Sequence, residues 1–577
     1  MSATANTPSE IVNYSYGSNG RVQSVTDNRG TTTMAYEVGN DHVLSVTDPV
    51  TGPISYTYGP AGERATMTLP GGGTWTYGYN STFNLLGKDD PNSVSKMLSR
   101  ITDDQGRAVD YWLDESGRRY LARTNQVFDA SLNLVTYMQT AYTYDNSTSN
   151  NPSAWLTSLA NTWNYKNAQG QWQQTNLVQN AYTFDNSGQR LTNQITSSGA
   201  SRTEQYGYDA LNRLKTVDYG DGQTQAYSFD AMANRLSKQD SATGTENYSY
   251  NSANMLLTRG LNSYANDANG DTLTGGGRTN TWDSQNRLVQ CVNGANTSSF
   301  VYGSDGIRRQ STVNGTTTDF VLDASMFIRE RNHTTGVNLA TYFVGARGPE
   351  YRRDETTGQV RWYIYDGLGS VLGEVDPNGN ITSSRKYDVY GLVRGGNNTA
   401  GTSSHKFVGQ LGHPSEDNSG LIYMRARHYD PVVGRFVSED PVQHNSNWLV
   451  YASDDPINRV DRNGTIDGMG ATLELEADDA KAVLGAGNWA LAKIVTILAG
   501  YYVVVECAIY GNFMATKPDI QSFEAAMRSA GLNPSDKGVR RRFHDAVTKM
   551  GLDFKGLCEA AEEFAEELAN EQDKGGN

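Results

Sequence analysis

The chain has 577 residues, a formal net charge of -15 and only 19% charged residues. It is long enough for three or four ordinary domains, or for one repeat architecture with an appendage. Tyr at 34 and Gly at 59 against Pro at 15 suit many short strands joined by tight turns and exclude a disordered composition. The acidic balance excludes a general nucleic-acid surface, which needs clustered Lys and Arg.

The start, MSATANTPSEIVNYSYGSNG, has neither a basic stretch nor an apolar stretch of signal-peptide type. Residues 1–10 are expected to be disordered, and export would need a route without a signal peptide. From residue 11 a unit recurs: aromatic-x-aromatic-Asp, then x-x-Asn/Gly-Arg-Leu. Clear copies are YTFDNSGQRL at Tyr182, YGYDALNRL at Tyr206, YSFDAMANRL at Tyr227 and NTWDSQNRL at Asn280. Tyr208, Phe229 and Tyr250 are spaced at a period of 21. YSYGSNGRVQSVTD and YTYGPAGERATMTL fit the same plan nearer the start.

Alternating aromatics predict a strand with one buried face, and Asp-x-x-Gly/Asn predicts a turn. Arg-Leu then opens the return strand. Such a hairpin cannot bury its face alone and must stack on its neighbours; roughly twenty would make one long antiparallel spiral. Asp209, Asp230 and Asp283 read as turn aspartates. Asp376 in VDPNGN also reads as a turn, because no closing Glu completes a calcium loop. Cys291, Cys507 and Cys558 form no CxxC pair, and His405, His413, His428 and His444 show no metal-binding spacing. No metal or cofactor is therefore expected, and these histidines read as surface or strand residues.

The YDxxNRL units resemble the YD repeats of RHS proteins, a family related to the teneurin shell and to the B and C subunits of insecticidal Tc toxins. The likeness runs from residue 10 to 465. The stretch from Tyr363 to Gly464 resembles the RHS-associated core domain, through YIYDGLGSVLGEVDPNG, RKYDVYGLV, KFVGQLGHPSEDNSGLIYMRARHYDPVVGRFVSEDP and WLVYASDDPINRVDRNG. The resemblance implies a bacterial, mainly β chain: a YD-repeat spiral, a partial shell, over 11–340, and a capping core domain over 341–465.

In that family the core domain cuts off the segment that follows it, using two aspartates in an aspartic-protease-like reaction. Matched to this sequence, they are Asp440 in FVSEDP and Asp461 in RVDRNGT, and the cut falls between Thr465 and Ile466. The family's DPxGL reads DRNGT here, with Arg462 for Pro and Thr465 for Leu. Two close carboxylates can share one proton, so that one acts as base on water and the other as acid. Arg435, near in sequence, is a candidate to bias which of them stays ionised. The bland reading makes both aspartates ordinary turn or strand-end residues.

After Gly464 the composition turns rich in Ala, Glu, Leu and Lys, as in LELEADDAKAVL and FKGLCEAAEEFAEELAN. Helical periodicity predicts a small, mainly α-helical module over 466–577, with a helix start at Asn533–Pro534. Residues 494–516, IVTILAGYYVVVECAIYGNFMAT, carry Glu506 as their one charge and would suit either a membrane segment or a buried core element. In SDKGVRRRFHDAVTKMGL, Arg541, His544 and Asp545 share a helix face and are candidate functional residues, or a basic face packed on an acidic helix. Residues 466–577 hold 11 Lys and Arg against 18 Asp and Glu, which does not favour a nuclease.

The resemblance thus implies a shell that holds a toxic C-terminal module and releases it by self-cleavage. The expected partners are a second shell subunit or secretion machinery and a cognate immunity protein, with no nucleic acid for the shell. The expected location is secreted or cell-surface. The alternative is a non-enzymatic adhesion or carbohydrate-contact scaffold with an anchoring tail.

Overall fold

The computed structural model describes residues 11–465 and 467–469, apart from 19, 40–41, 61, 81–96, 114–117, 146–154, 398–402 and 444–445. The expected disordered start, the helical module, the apolar segment 494–516, and Arg541, His544 and Asp545 lie outside the described residues. Among the described residues no helix is long and apolar enough to cross a membrane.

The described chain is mainly β, with only two short 3-10 turns, Gly409–Leu411 and Ala452–Asp454. Two long antiparallel meanders carry it. A 21-stranded sheet runs from Asn13–Tyr16 to Asn262–Ser263, and a 14-stranded sheet from Ala265–Asn266 to Val393–Asn397. Each strand pairs with its neighbour in the chain, as Ala200–Tyr208 does with Arg190–Ser197 on one side and Leu214–Asp218 on the other. Tyr, Phe, Val and Thr fill these strands because branched and aromatic side chains pack on a pleated surface.

The YD turn follows from its aspartate. Asp209 Oδ1 accepts the N–H groups of Leu211 at 2.9 Å and Arg213 at 3.0 Å, while Oδ2 accepts Arg213 Nε at 2.7 Å. Asn212 takes a φ of 60° there, which asparagine tolerates. Asp230, Asp283 and Asp376 build the same turn through N–H groups two and four residues on.

The second aromatic of the unit does more than fill the core. The register shifts just before it, at Gly207/Tyr208, Ser249/Tyr250 and Val301/Tyr302, and such a shift re-aims a side chain. Its hydroxyl then donates to the carbonyl of the first residue of the preceding strand. Tyr36 reaches Val22 at 2.9 Å, Tyr58 reaches Val43 at 2.8 Å, Tyr208 reaches Arg190 at 2.7 Å and Tyr250 reaches Arg235 at 2.8 Å. Tyr144, Tyr302 and Tyr387 do the same to Arg119, Leu288 and Val371. Trp282 uses its indole N–H on Thr272 at 3.0 Å. Each of these eight hairpins is thereby latched to the strand before it.

The two sheets share a core. Ile54, Tyr56, Met67, Trp75 and Val109 of the first pack with Val321, Ile328, Phe343, Tyr351 and Trp362 of the second. Trp75 meets Phe343 edge-on at 4.9 Å between ring centroids. Residues after 402 leave the meander and form a four-stranded sheet of short strands from Ser415–Glu416 to Arg435–Phe436, then a pair, Arg459–Asp461 with Asp467–Met469. Strands Leu421–Met424 and Arg427–Asp430 are buried at every position. The fourteenth strand ends at Asn397, so the second meander runs through residue 341 without a break.

Cys291 is a buried free thiol, and among the described residues no group of three or more His, Cys, Asp and Glu is placed to hold a metal ion. His405, His413 and His428 are interior rather than surface residues, at 1%, 0% and 2% exposure. Burial lowers all three imidazoles below their usual range, His405 to about 3; His405 packs against Tyr342 at 4.6 Å and His428 against Phe300 at 5.2 Å between ring centroids.

Candidate functional site at the end of the core

Asp440 and Asp461 are both almost fully buried, at 4% and 2% exposure. One group stands between them. Arg427 Nη2 lies 3.4 Å from Asp440 Oδ2 and 3.2 Å from Asp461 Oδ2. Both carboxylates therefore sit within reach of a single nitrogen, although 21 residues separate them in the chain. The same guanidinium donates through Nη1 to Trp448 O at 2.7 Å and through Nε to Gly464 O, and it covers the Phe436 ring at 3.6 Å. One guanidinium thus engages two buried carboxyl groups and two backbone carbonyls at once.

The DRNGT segment is a tight loop organised by Asp461. Its Oδ1 accepts the N–H groups of Asn463 at 3.3 Å, Gly464 at 2.7 Å and Thr465 at 3.0 Å. The outward-facing carbonyls are held as well. Arg462 O accepts from His413 Nε2 at 2.8 Å and from Arg425, Asn463 O from Ala426 N–H at 3.0 Å, and Gly464 O from Arg427. Three successive carbonyls are thus gripped by the Met424–Arg427 turn and its neighbour His413. Gly464 has φ 75°, and a Cβ there would collide with Met424 O, so the loop needs glycine at this position. The three N–H groups that Asp461 binds belong to Asn463, Gly464 and Thr465. The departure at Arg462 leaves these positions in place, and a backbone N–H persists at Thr465 whatever its side chain.

Asp440 is held through its own backbone. Its N–H donates to Trp448 O at 3.1 Å and its Oδ1 accepts Val442 N–H at 2.9 Å. Arg435 stands elsewhere. It donates to Asn234 Oδ1 at 3.0 Å, to Asn254 O at 2.9 Å and to Asn447 Oδ1 at 3.1 Å, and lies over the Tyr250 ring at 4.7 Å. The cation paired with both aspartates is Arg427. Sequence reasoning passed over Arg427, Arg425 and His413, because nothing local in YMRARHYD separates a buried, bridging arginine from a surface one. Thr465 is half-buried; Ile466 lies outside the described residues.

A second set of contacts ties this junction to the repeats. Asn458 accepts the Arg190 N–H at 3.0 Å and donates to Gln189 Oε1 at 2.6 Å, Tyr208 Oη at 3.0 Å and Asp455 Oδ1 at 2.8 Å. The loop that carries Asp461 is therefore pinned to a hairpin more than 250 residues earlier.

A family model described as Teneurin YD-shell matches residues 130–457. The chain belongs to the Teneurin YD-shell family. As an RHS/YD-repeat protein it has relatives of several kinds. It is 27% identical over 270 residues to the tRNA3(Ser)-specific nuclease WapA of Bacillus spizizenii, covering 44% of this chain and 12% of that protein. The double-stranded DNA deaminase toxin A of Burkholderia cenocepacia is 27% identical over 272 residues, 46% of this chain and 15% of the relative. The probable deoxyribonuclease RhsB of Dickeya dadantii is 25% identical over 332 residues, 56% and 18% of the two chains. The YD-shell chain thus spans less than a fifth of the length of each. Among solved structures, a Photorhabdus luminescens Tc holotoxin pore matches 78% of this chain and 28% of that one, with 16% identity and a TM-score of 0.49.

Proposed function

We propose that this chain is the cargo-bearing end of a toxin-delivery shell, and that it cuts itself after Thr465 to free residues 466–577. The observation that carries the reading is the grip on the loop just ahead of that bond. Arg427 joins the two buried aspartates, and Asp461 and Arg427 together hold the amide and carbonyl groups of Gly464 and the amide of Thr465. The relatives add a second line of support. A tRNA nuclease, a DNA deaminase toxin and a probable deoxyribonuclease share sequence with this chain while differing in chemistry, as expected if what they share is a carrier.

The reaction needs one proton in the carboxylate pair. With that proton present, one carboxylate takes a proton from water as its oxygen adds to the Thr465 carbonyl carbon. The other donates to the Ile466 nitrogen, the C–N bond breaks, and a Thr465 carboxylate and an Ile466 amine result. Arg427 positions the pair and fixes Gly464, which sets the angle at which the next carbonyl is presented. The module over 466–577, its immunity protein and delivery outside the producing cell follow from the same reading, as does a second polypeptide that extends the YD sheet.

Intact mass of the freshly purified chain tests this, beside Asp440→Asn and Asp461→Asn variants. A fragment ending at Thr465 in wild type and absent from both variants is expected. One uncut mass in all three would sink self-cleavage and leave a repeat scaffold with a fused tail.

A further inference from the structure

His413 stands on a segment that is itself tightly fixed. It follows the 3-10 turn Gly409–Leu411 through Gly412, where φ is 77° and a Cβ would collide with the sulfur of Met326. Pro414, next in the chain, bridges to His405 and accepts Tyr423 N–H at 3.0 Å, and Ser415 N–H donates to Ser404 O at 2.8 Å. The His413 ring is 0% exposed, and its Nε2 lies 2.8 Å from Arg462 O. A carbonyl only accepts, so the ring carries its proton on Nε2. Nδ1 is buried with no hydrogen-bond partner. An unsatisfied buried nitrogen costs free energy, so packing alone does not account for a histidine here.

The carbonyl that His413 holds belongs to a series. Arg462 O receives both His413 and Arg425, which also donates to Leu411 O at 2.7 Å. Asn463 O takes Ala426 N–H, and Gly464 O takes Arg427. The next carbonyl along the chain is that of Thr465, the one the proposed reaction attacks. We infer that His413 is a positioning residue for the cut: through the Arg462 carbonyl it sets the register in which the loop presents the Thr465–Ile466 bond to Asp440 and Asp461. A long arginine stem by itself leaves the direction of that carbonyl loose, whereas a short imidazole packed on all sides fixes it. The ring acts on main-chain geometry and not on a proton, because it faces a carbonyl that takes no part in the bond change. This deepens the self-cleavage reading and rests on it.

The test is a time course of the full chain made in a cell-free reaction and followed by intact mass, for wild type, His413→Phe and His413→Gln. His413→Phe keeps a buried ring and discards the donor, and since Nδ1 has no partner no other hydrogen bond of the ring is lost. It should slow the appearance of the fragment ending at Thr465 roughly fivefold, the effect of one hydrogen bond, and yield a share of ends at neighbouring residues. His413→Gln returns an N–H donor at similar reach and should restore both the rate and the single end. Urea midpoints of the same substitutions in the uncut Asp440→Asn chain report folding separately. If the phenyl ring does not fit, His413→Leu, smaller and also without a donor, repeats the comparison. Cutting at the wild-type rate in the folded variant without a donor would overturn the inference and leave self-cleavage standing. So would slow cutting that His413→Gln does not restore. An uncut wild type would remove self-cleavage itself, and this inference with it.

Discussion

Arg427 Nη2 and Asp461 Oδ2 lie 3.2 Å apart in a junction that leaves Arg427 4% and Asp461 2% exposed. Asp440 meets the same nitrogen at 3.4 Å, so one guanidinium serves two buried carboxyl groups. Removing one partner of a buried ionic group leaves uncompensated charge. Arg427→Met should therefore cost about 3–5 kcal/mol in chemical denaturation and abolish the Thr465 fragment. Arg427→Lys keeps the charge but cannot serve Asp440, Asp461, Gly464 O and Trp448 O at once. It should fall between wild type and Arg427→Met in stability, and an unchanged midpoint for both variants would remove Arg427 from its bridging role.

Gly464→Ala separates loop geometry from charge. Both Gly464 and Gly106 have positive φ, at 75° and 79°, but a Cβ at Gly106 meets nothing within 4 Å while one at Gly464 collides with Met424 O. Gly106→Ala should cost only the left-handed backbone strain, about 1 kcal/mol. Gly464→Ala should cost more and also raise amide exchange at Asn463 and Thr465, because the loop must leave the Met424–Arg427 turn. Equal losses in the two variants would mean the turn yields freely.

The tyrosine latch makes a graded stability prediction. Tyr302→Phe removes a 2.6 Å hydrogen bond to the buried Leu288 carbonyl and should lower stability by about 1 kcal/mol. Tyr208→Phe should cost more, since its oxygen also accepts from Asn458. Tyr16→Phe, at a side chain 60% exposed, should cost nothing. Urea midpoints for the three variants measure the series, and a uniform loss would contradict it.

Asp271 predicts a pH dependence. In the YD turns of Asp209 and Asp283 the residue four places on is an arginine paired with the aspartate, Arg213 or Arg287. After Asp267 that place is taken by Asp271, which is 1% exposed with no hydrogen-bond partner on either oxygen. Burial, then Asp267, Glu439 and Asp283, push its carboxyl up to about 8. A carboxyl raised in the folded state destabilises the fold as pH climbs from its unfolded value near 4 towards 8, because the unfolded chain ionises first. Asp271→Asn should leave stability at pH 4 nearly unchanged and raise it at pH 8 by about 1–3 kcal/mol. A thermal midpoint that responds equally at both pH values would show that Asp271 finds a partner when charged.

The sequence by itself determined the hairpin unit. Alternating aromatics, Asp-x-x-Gly/Asn turns and return strands opening on Arg-Leu act within about ten residues, where backbone propensity and side-chain capping decide the outcome. It also placed Asp440 and Asp461 as candidates through the core-domain resemblance. It did not disclose the hydroxyl latch, since a tyrosine spaced for burial looks the same whether or not its oxygen finds a carbonyl a strand away.

The tertiary structure decided which charges meet. Arg435 is the arginine nearest to Asp440 in the chain, yet it turns to Asn234 and Asn447, while Arg427 holds both aspartates. It also decided that His405, His413 and His428 are interior, and that the Asp461 loop rests on Tyr208 and Gln189 through Asn458. Each depends on strands far apart in sequence being packed together. A buried charge needs its partner in space, and composition and spacing carry no record of which distant residue that will be.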